Sequence, residues 1–255
     1  MPIHDWTRIP SGLFHDFHQA WTIQIRMALN AGLLPKGFSA LVEQKSKGWE
    51  PDVLAIDERR RRSSLQDEGG LLILDPPSTH LVFRTEEETC GDRANRIVVK
   101  HHLGRTVAII EIVSPGNKDS ETRLSDFVEK IVDFIRNGIH VLIVDLFPAS
   151  ARDEQGIHPL IWSEFKEDAF RFPEGKDRTL VSYEAGREKV AYVEPMSVGD
   201  PLPGGALFLA AGKHLLVPLE STYQSAWNGS SEALREAVET GLLPEDYPDD
   251  SENEK

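Results

Sequence analysis

The most apolar stretch of the chain is Thr106-Val107-Ala108-Ile109-Ile110-Glu111-Ile112-Val113. A short continuous run of this kind is typical of a central β-strand that is buried on both faces. A second apolar run spans residues 139–147, and residues 120–137 repeat apolar side chains every three or four positions, as an amphipathic helix does. Strand, helix and strand in this order predict a βαβ unit whose two strands are parallel and adjacent.

Similar patterns predict elements on either side of this unit. In residues 11–30 the apolar side chains include Phe17, Trp21 and Ile25 at helical spacing, so we expect a helix that packs on the sheet. Before residue 106, strands are predicted at 38–43, 51–56, 80–85 and 96–102, the last forming a hairpin with 106–113 around Gly104. Beyond Pro148 the pattern predicts a helix at 157–170, a hairpin of 179–185 and 190–196, a strand at 214–219, and helices at 221–227 and 231–239.

The composition excludes or disfavours several classes of protein. The 255 residues include 28 Lys and Arg against 42 Asp and Glu, and the net charge of −14 disfavours a non-specific coat on DNA but leaves a local basic groove open. Cys90 is the one cysteine, so the sequence excludes an intramolecular disulfide and zinc sites built from several cysteines. Without a membrane-length apolar run of roughly 20 residues or the features of a signal peptide, we expect a cytoplasmic bacterial protein with no membrane partner.

Two acidic residues form the clearest chemical pattern. Asp52 opens a predicted strand, and Glu111 lies inside the most apolar segment of the chain. Because an ionised carboxylate is costly to bury alone, Glu111 needs a metal ion, a cationic side chain or a proton. Carboxylates on neighbouring strands suit Mg²⁺, which can polarise a phosphodiester and activate water, so Asp52 and Glu111 are the candidate metal ligands. The structural alternative is that Glu111 pairs with Arg or Lys, or lies where its strand emerges into solvent.

A basic residue would complete such a site, and the sequence offers two candidates. Lys118 follows the end of the predicted strand, and Lys130 lies on the predicted helix at the edge of its apolar stripe. Either ammonium can stabilise the charge that develops on a phosphorane or orient the attacking water. For Lys130 the alternative is an edge lysine whose stem covers apolar surface while its ammonium reaches water.

Four segments follow one another in an order that matches a known pattern. They are Pro51-Asp52, Ile110-Glu111-Ile112-Val113-Ser114-Pro115, Glu129-Lys130-Ile131-Val132-Asp133-Phe134 and Gly138-Ile139. In this order, residues 38–148 resemble the Uma-type restriction endonucleases of the PD-(D/E)XK nuclease superfamily. That superfamily usually has its lysine two residues after the Glu, where this chain has Val113, but the Uma-type pattern moves the lysine to the following helix and matches Lys130. The resemblance implies Mg²⁺-dependent hydrolysis of a nucleic acid by Asp52, Glu111 and Lys130.

Further motifs extend nearly from end to end of the chain. They are His4-Asp5-Trp6, Phe14-His15-Asp16-Phe17-His18, Ile110-Glu111-Ile112-Val113-Ser114-Pro115-Gly116-Asn117-Lys118 and Pro218-Leu219-Glu220-Ser221-Thr222-Tyr223. With these motifs the whole chain is similar to a bacterial family, domain of unknown function 4058, which implies a family and not an activity. Lys118 belongs to this longer pattern, so it is the second candidate for the role that Val113 cannot fill. By analogy, Glu43 at the end of the first predicted strand is a further acidic residue of the site.

These resemblances imply an α/β fold that consists of a core, an extension and a tail. Residues 1–148 are expected to form a restriction-endonuclease-like mixed sheet with flanking helices, and residues 149–243 a C-terminal α+β extension packed on that core. Residues 244–255 are rich in Asp and Glu, which predicts a disordered acidic tail.

Three functions are compatible with the sequence. The first is a Mg²⁺-dependent endonuclease acting on DNA or RNA. The second is a non-catalytic binding or interaction module that retains the nuclease fold, which Val113 and the net charge of −14 favour. The third is a transition-metal protein, because His15 and His18 share one face of the predicted helix and His4 lies shortly before them. The alternative for these histidines is a structural role, in which they bond to nearby loops.

Overall fold

Eight strands of the described residues form one mixed sheet, with helices packed on both of its faces. The computed structural model of the protein describes residues 3–42, 72–84 and 104–243, together with the backbone of 53–57 and 100–101. The strands are β1 (Phe38–Val42), β2 (Val53–Asp57), β3 (Leu81–Arg84), β4 (Lys100–His101), β5 (Gly104–Ile112), β6 (His140–Asp145), β7 (Arg178–Ala185), β8 (Lys189–Met196), β9 (Gly205–Ala210) and β10 (Lys213–Val217). The helices are α1 (Ser11–Ala28), α2 (Pro115–Lys118), α3 (Glu121–Arg136), α4 (Ile157–Trp162), α5 (Leu219–Gly229) and α6 (Glu232–Thr240). The expected mixed α/β class is therefore confirmed.

The sheet has the strand order β1-β2-β5-β6-β7-β8-β3, and β4 pairs with the beginning of β5. Both predicted hairpins are present: β7 and β8 are antiparallel, and Lys100 of β4 lies opposite Arg105 of β5. β9 and β10 form a separate two-stranded ribbon, and β9 packs against β6 and β7. The sheet thus has β5 and β6 near its middle, where the candidate residues were predicted.

The predicted βαβ unit is confirmed. β5 and β6 are parallel neighbours, with Ile110 opposite Leu142. Between them α3 begins after Ser120, whose side chain accepts a hydrogen bond from the Arg123 N–H and so satisfies one of the donors left open at a helix start. The chain leaves the helix through Gly138, whose φ of +73° is a left-handed conformation that glycine adopts at little cost.

Alternate side chains of β5 enter two hydrophobic cores, one on each face of the sheet. Ile110 and Ile112 belong to the core that includes α1 and α5. Ile109 and Val113 belong to the core that includes α3 and α4. Because successive side chains of a strand point to opposite faces, Glu111 points toward the same face as Ile109 and Val113.

Helix α1 has the predicted buried stripe. Phe17, Trp21 and Ile25 are all inaccessible to solvent. The helix packs on β1 and β2 as expected, and on its other side it lies against α5. This second contact joins the two ends of the chain, and the periodicity of α1 alone gave no sign of it.

The short helix α2 was not predicted, and two further elements differ from the predictions. The predicted helix at 157–170 ends at Trp162, because the residues that follow it are mostly polar and no longer continue the buried stripe. β9 was not predicted, because it begins at Gly205 inside a Pro- and Gly-rich segment and has only five apolar residues after it.

Strands from both sides of residue 148 belong to the same sheet. β7 lies antiparallel beside β6, with Leu180 opposite Val144, and β8 and β3 continue the sheet outward. The sheet is therefore continuous across the predicted boundary between 1–148 and 149–243, and that division stays a prediction. Residues 244–255 lie outside the described residues. Within the described ranges, none of the helices has both the length and the apolar character needed to cross a lipid bilayer.

Candidate functional site

Glu111 lies near the end of β5, within the sheet. It is 4% exposed, and it lies opposite Ile143 of β6. On the other side of β5, Val53 of β2 pairs with Ile110, the neighbour of Glu111. A carboxylate at this depth needs a compensating charge. That charge is present, because Nζ of Lys130 lies 2.6 Å from Oε1 of Glu111.

Helix α3 brings Lys130 to this carboxylate. Phe127 and Ile131 on the same helix are buried in the core that α3 shares with the sheet, and Lys130 lies beside them at the edge of the apolar stripe. The Lys130 side chain is 16% exposed, and its Nζ lies 5.7 Å from the ring centroid of Phe127. The ammonium therefore points inward to Glu111 rather than outward to water. The sequence alone did not distinguish between these two orientations.

A tight turn after β5 sets the position of Lys118. The N–H and the hydroxyl of Ser114 both donate to Oδ1 of Asn117, at 2.8 and 2.9 Å, and the Asn117 N–H donates to the Ser114 carbonyl at 3.0 Å. Pro115 takes the first position of α2, where a helix has no use for a backbone N–H. These bonds fix the short helix, and they hold Lys118 near the carboxyl end of β6.

Lys118 is buried between two aspartates. Its Nζ lies 2.7 Å from Oδ2 of Asp145, the last residue of β6, and 2.8 Å from Oδ2 of Asp153. The other oxygen of Asp145 accepts the Phe147 N–H at 3.1 Å. The other oxygen of Asp153 accepts both the hydroxyl and the N–H of Ser150. The cluster of Lys118, Asp145 and Asp153 therefore locks the loop after β6 onto α2.

The electrostatics of this cluster favour a charged lysine. Burial by itself lowers the pKa of Lys118, but the carboxylates of Asp145 and Asp153 outweigh burial, and the pKa is raised. For Asp145, burial raises the pKa, and the ammonium of Lys118 offsets only part of that rise. Lys118 is thus a protonated ammonium at neutral pH that is already bound by two acidic partners.

The structure brings together one pair of the predicted site residues. Glu111 and Lys130 are in contact, an arrangement that both the predicted site and the structural alternative of a Glu paired with a Lys contain, whereas Lys118 contacts acidic residues that the sequence did not single out. Asp52 lies outside the described residues, and so does Glu43. The predicted meeting of Asp52 with Glu111 therefore stays a prediction.

Sequence reasoning missed both acidic partners of Lys118. A signal for Asp145 exists, because this residue interrupts the apolar run 139–147 in the same way as Glu111 interrupts its own strand. Asp153 has no comparable signal, since it lies in the polar loop after β6. Its burial follows from the fold of that loop and not from the residues beside it.

The three candidate histidines lie in different surroundings. Nδ1 of His4 is 2.8 Å from the Tyr223 hydroxyl, and Nε2 of His18 is 3.2 Å from the Ile112 carbonyl. His15 and His18 are stacked, with ring centroids 6.3 Å apart. In the ranges that the structure describes, no group of three or more His, Cys, Asp or Glu side chains is placed to hold a metal ion. The contacts of His4 and His18 are those of histidines that join separate parts of the fold.

The chemistry of Glu111 matches the ligands that Mg²⁺ prefers. A carboxylate oxygen is a hard ligand, and Mg²⁺ sites often use one or two carboxylates together with waters and substrate phosphates. In the structure, Oε1 of this carboxylate is already bound by the ammonium of Lys130. Comparison of the chain with protein-family models, with curated proteins and with solved structures finds no match.

Proposed function

We propose that the protein is a Mg²⁺-dependent nuclease that hydrolyses phosphodiesters of a nucleic acid on a restriction-endonuclease-like core. The observation that supports this proposal is the 2.6 Å contact between Nζ of Lys130 and Oε1 of Glu111. The Uma-type pattern requires an acidic residue on a central strand and a lysine on the following helix, with both side chains in the same site. Their spacing in the sequence does not by itself bring the two side chains into contact, so their contact in the fold supports the proposal independently of the sequence pattern.

Each residue has a distinct role in this proposal. Glu111 and Asp52 hold the metal, and bound Mg²⁺ would polarise the phosphodiester and lower the pKa of a bound water. The ammonium of Lys130 stabilises the negative charge that develops on the phosphorane. Lys130 is also the more exposed member of its pair, so its displacement would open the carboxylate of Glu111. Lys118 has a positioning role, because Asp145 and Asp153 already bind its ammonium.

The proposal is tested by cleavage and metal binding in parallel. Purified protein is incubated with plasmid DNA, single-stranded DNA and single-stranded RNA, with Mg²⁺ or with EDTA. We expect Mg²⁺-dependent cleavage of at least one substrate, and a loss of at least a hundredfold in Glu111→Gln and in Lys130→Met. Calorimetric titration with Mg²⁺ is expected to show binding in the wild type that Glu111→Gln abolishes.

A matched control distinguishes the effect of losing the Glu111 carboxylate from the effect of losing any one negative charge. Glu129 is an exposed neighbour of Lys130 on the same helix, so Glu129→Gln should retain full cleavage and Mg²⁺ binding. Each variant is checked for folding by its thermal unfolding curve. Wild-type protein that cleaves none of the three substrates, or undiminished cleavage in a folded Glu111→Gln protein, would contradict the proposal.

The second candidate is a non-catalytic binding or interaction module that retains the nuclease fold. It is favoured by the burial of Glu111, which is only 4% exposed and is ion-paired with Lys130. A buried pair of this kind can serve structure alone. Under this candidate, the wild type neither cleaves nor binds Mg²⁺, while Glu111→Gln still lowers the unfolding temperature. The two assays together therefore decide between the candidates.

A further inference from the structure

A cavity lies at the opposite end of β5 and β6 from Glu111. Its volume is about 330 Å³, which is within the range of small-molecule sites. It is lined by Arg105, Val107, Gly138, His140, Ala185 and Gly186, and by residues 209–211. Because β5 and β6 are parallel, Arg105 and His140 lie together where the two strands begin. This cavity is therefore separate from the proposed nuclease site.

His140 contributes a hydrogen-bond donor to this cavity. Its Nδ1 accepts the Ala185 N–H at 2.9 Å, which places the ring proton on Nε2. Burial, followed by the charges of Lys189 and Arg105, lowers the pKa of His140 to about 4, so the ring is neutral at pH 7. Within the described part of the chain, Nε2 has no hydrogen-bond partner. This N–H of a cavity-lining side chain is free to donate to an acceptor on a ligand.

Positive charge surrounds this donor. Arg105 is exposed, and no carboxylate of the described residues forms an ion pair with it. Lys189 holds its ammonium 2.7 Å from the Gly186 carbonyl, on the rim of the cavity. The nearest acidic side chain on β7, Glu184, is engaged by the Gly212 N–H at 2.7 Å and by the Tyr192 hydroxyl at 3.3 Å. Among the described side chains that line the cavity, Arg105 and His140 are the two with hydrogen-bond donors and no carboxylate partner.

The remaining walls are mostly apolar. Val107 and Leu209 are buried, and alanines at 185, 210 and 211 line the rest. A ligand therefore meets the side chains of Arg105 and His140 together with small or apolar side chains.

We propose that this cavity binds a small organic carboxylate, whose carboxylate group accepts hydrogen bonds from Arg105 and from Nε2–H of His140, and whose apolar body fills the rest of the cavity. A monoanion matches a single guanidinium and one neutral donor. Inorganic phosphate could accept from the same two residues, but it has no apolar body to contact the remaining side chains of the cavity.

The test uses benzoate as the probe and benzamide as its neutral counterpart. In ¹H–¹⁵N spectra of the full chain, benzoate is expected to shift the Ala185 and Gly186 amides and the Nε2 signal of His140 in a saturable way. Benzamide, which has the same body without the charge, should bind at least tenfold more weakly. Inorganic phosphate is titrated in the same way and should bind more weakly than benzoate.

Two variants and one control locate the binding. Arg105→Gln should weaken benzoate binding at least fivefold, and Ala211→Trp should abolish it by filling the cavity. Arg123→Gln removes an exposed arginine on α3 and should leave the affinity unchanged. The amide spectrum of each variant shows whether it is folded. The proposal is overturned if benzoate causes no saturable shift, if benzamide or phosphate binds as tightly as benzoate, or if folded Arg105→Gln binds with wild-type affinity.

Discussion

The indole Nε1–H of Trp21 donates a hydrogen bond of 3.0 Å to Oγ1 of Thr222. This bond joins α1, near the beginning of the chain, to α5, near its end. The ring of Trp21 also lies edge-on to Tyr223, with centroids 5.1 Å apart. Stability of this face of the molecule therefore depends on contacts between residues about 200 positions apart in the sequence.

The first prediction is that Trp21→Ala lowers the free energy of unfolding by about 3–5 kcal/mol, because it removes a fully buried ring and leaves a cavity. Trp21→Phe should cost less, since it keeps much of the ring and loses the bond to Thr222. Urea unfolding followed by circular dichroism measures both values. Met27→Ala on the same helix, where the side chain is 53% exposed, should change stability by less than about 0.5 kcal/mol. A Trp21→Ala cost as small as that of Met27→Ala would show that this contact contributes little.

The second prediction concerns the approach of β9 to the sheet. A Cβ on Gly205 would lie 2.7 Å from Cδ2 of Leu142 and 3.1 Å from Cδ1 of Leu219. We expect Gly205→Ala to destabilise the protein by about 1–3 kcal/mol, because the buried leucines must shift to make room. The control is Gly229→Ala at the end of α5, where an added Cβ meets nothing within 4 Å and should be neutral or slightly stabilising. Equal stabilities of the two variants would contradict the close packing of β9.

The central unit of the fold could be predicted from the sequence because its signals are local. The continuous apolar run of β5 and the helical spacing of α3 each depend on fewer than about 20 neighbouring residues. The edge position of Lys130 on α3 was also visible in this spacing. Whether its ammonium turns inward depends on how the helix rotates against Glu111, and that rotation is set by packing with other elements.

The features that were not predicted depend on contacts between residues that are far apart in the sequence. Lys118 is held by Asp145 and Asp153, which belong to a strand and a loop far along the chain. Nothing in the residues around Asp153 distinguishes it from a solvated loop aspartate. Its burial results from the turn at Ser150 folding back over α2.

The third prediction concerns this cluster. Lys118→Met keeps most of the side-chain volume but leaves two buried carboxylates without their cation, so we expect a loss of about 3–5 kcal/mol in unfolding free energy. The matched control is Lys176→Met, which breaks a lysine–aspartate contact of 2.6 Å with Asp200 where both side chains are 32% exposed. That change should cost less than about 1 kcal/mol, because water screens the pair. Chemical denaturation of both variants at pH 7 gives the comparison, and similar losses would show that burial is not what makes the Lys118 cluster important.

The last prediction is a pH dependence that arises from His158. This histidine is buried against aromatic rings, its Nδ1 lies 2.8 Å from the Tyr183 hydroxyl, and its Nε2 has no hydrogen-bond partner among the described residues. Burial lowers the pKa of His158 to about 3, from an ordinary value of 6.5 in the unfolded chain. Between pH 6.5 and about 3, the unfolded state therefore binds more protons than the folded state, and stability falls as the solution is acidified.

Within this window, His158 should make the unfolding free energy fall with decreasing pH, most steeply once the histidine of the unfolded chain is fully protonated. His158→Phe removes the proton site while keeping an aromatic ring, so its unfolding free energy should fall less steeply than that of the wild type between pH 6.5 and 4.5. Ile161→Val is the control, because it weakens the same core without removing a titratable group and should shift the whole profile downward with an unchanged slope. Urea unfolding at half-unit pH intervals measures the three slopes. Parallel profiles for the wild type and His158→Phe would mean that His158 is protonated in the folded state as readily as in the unfolded chain.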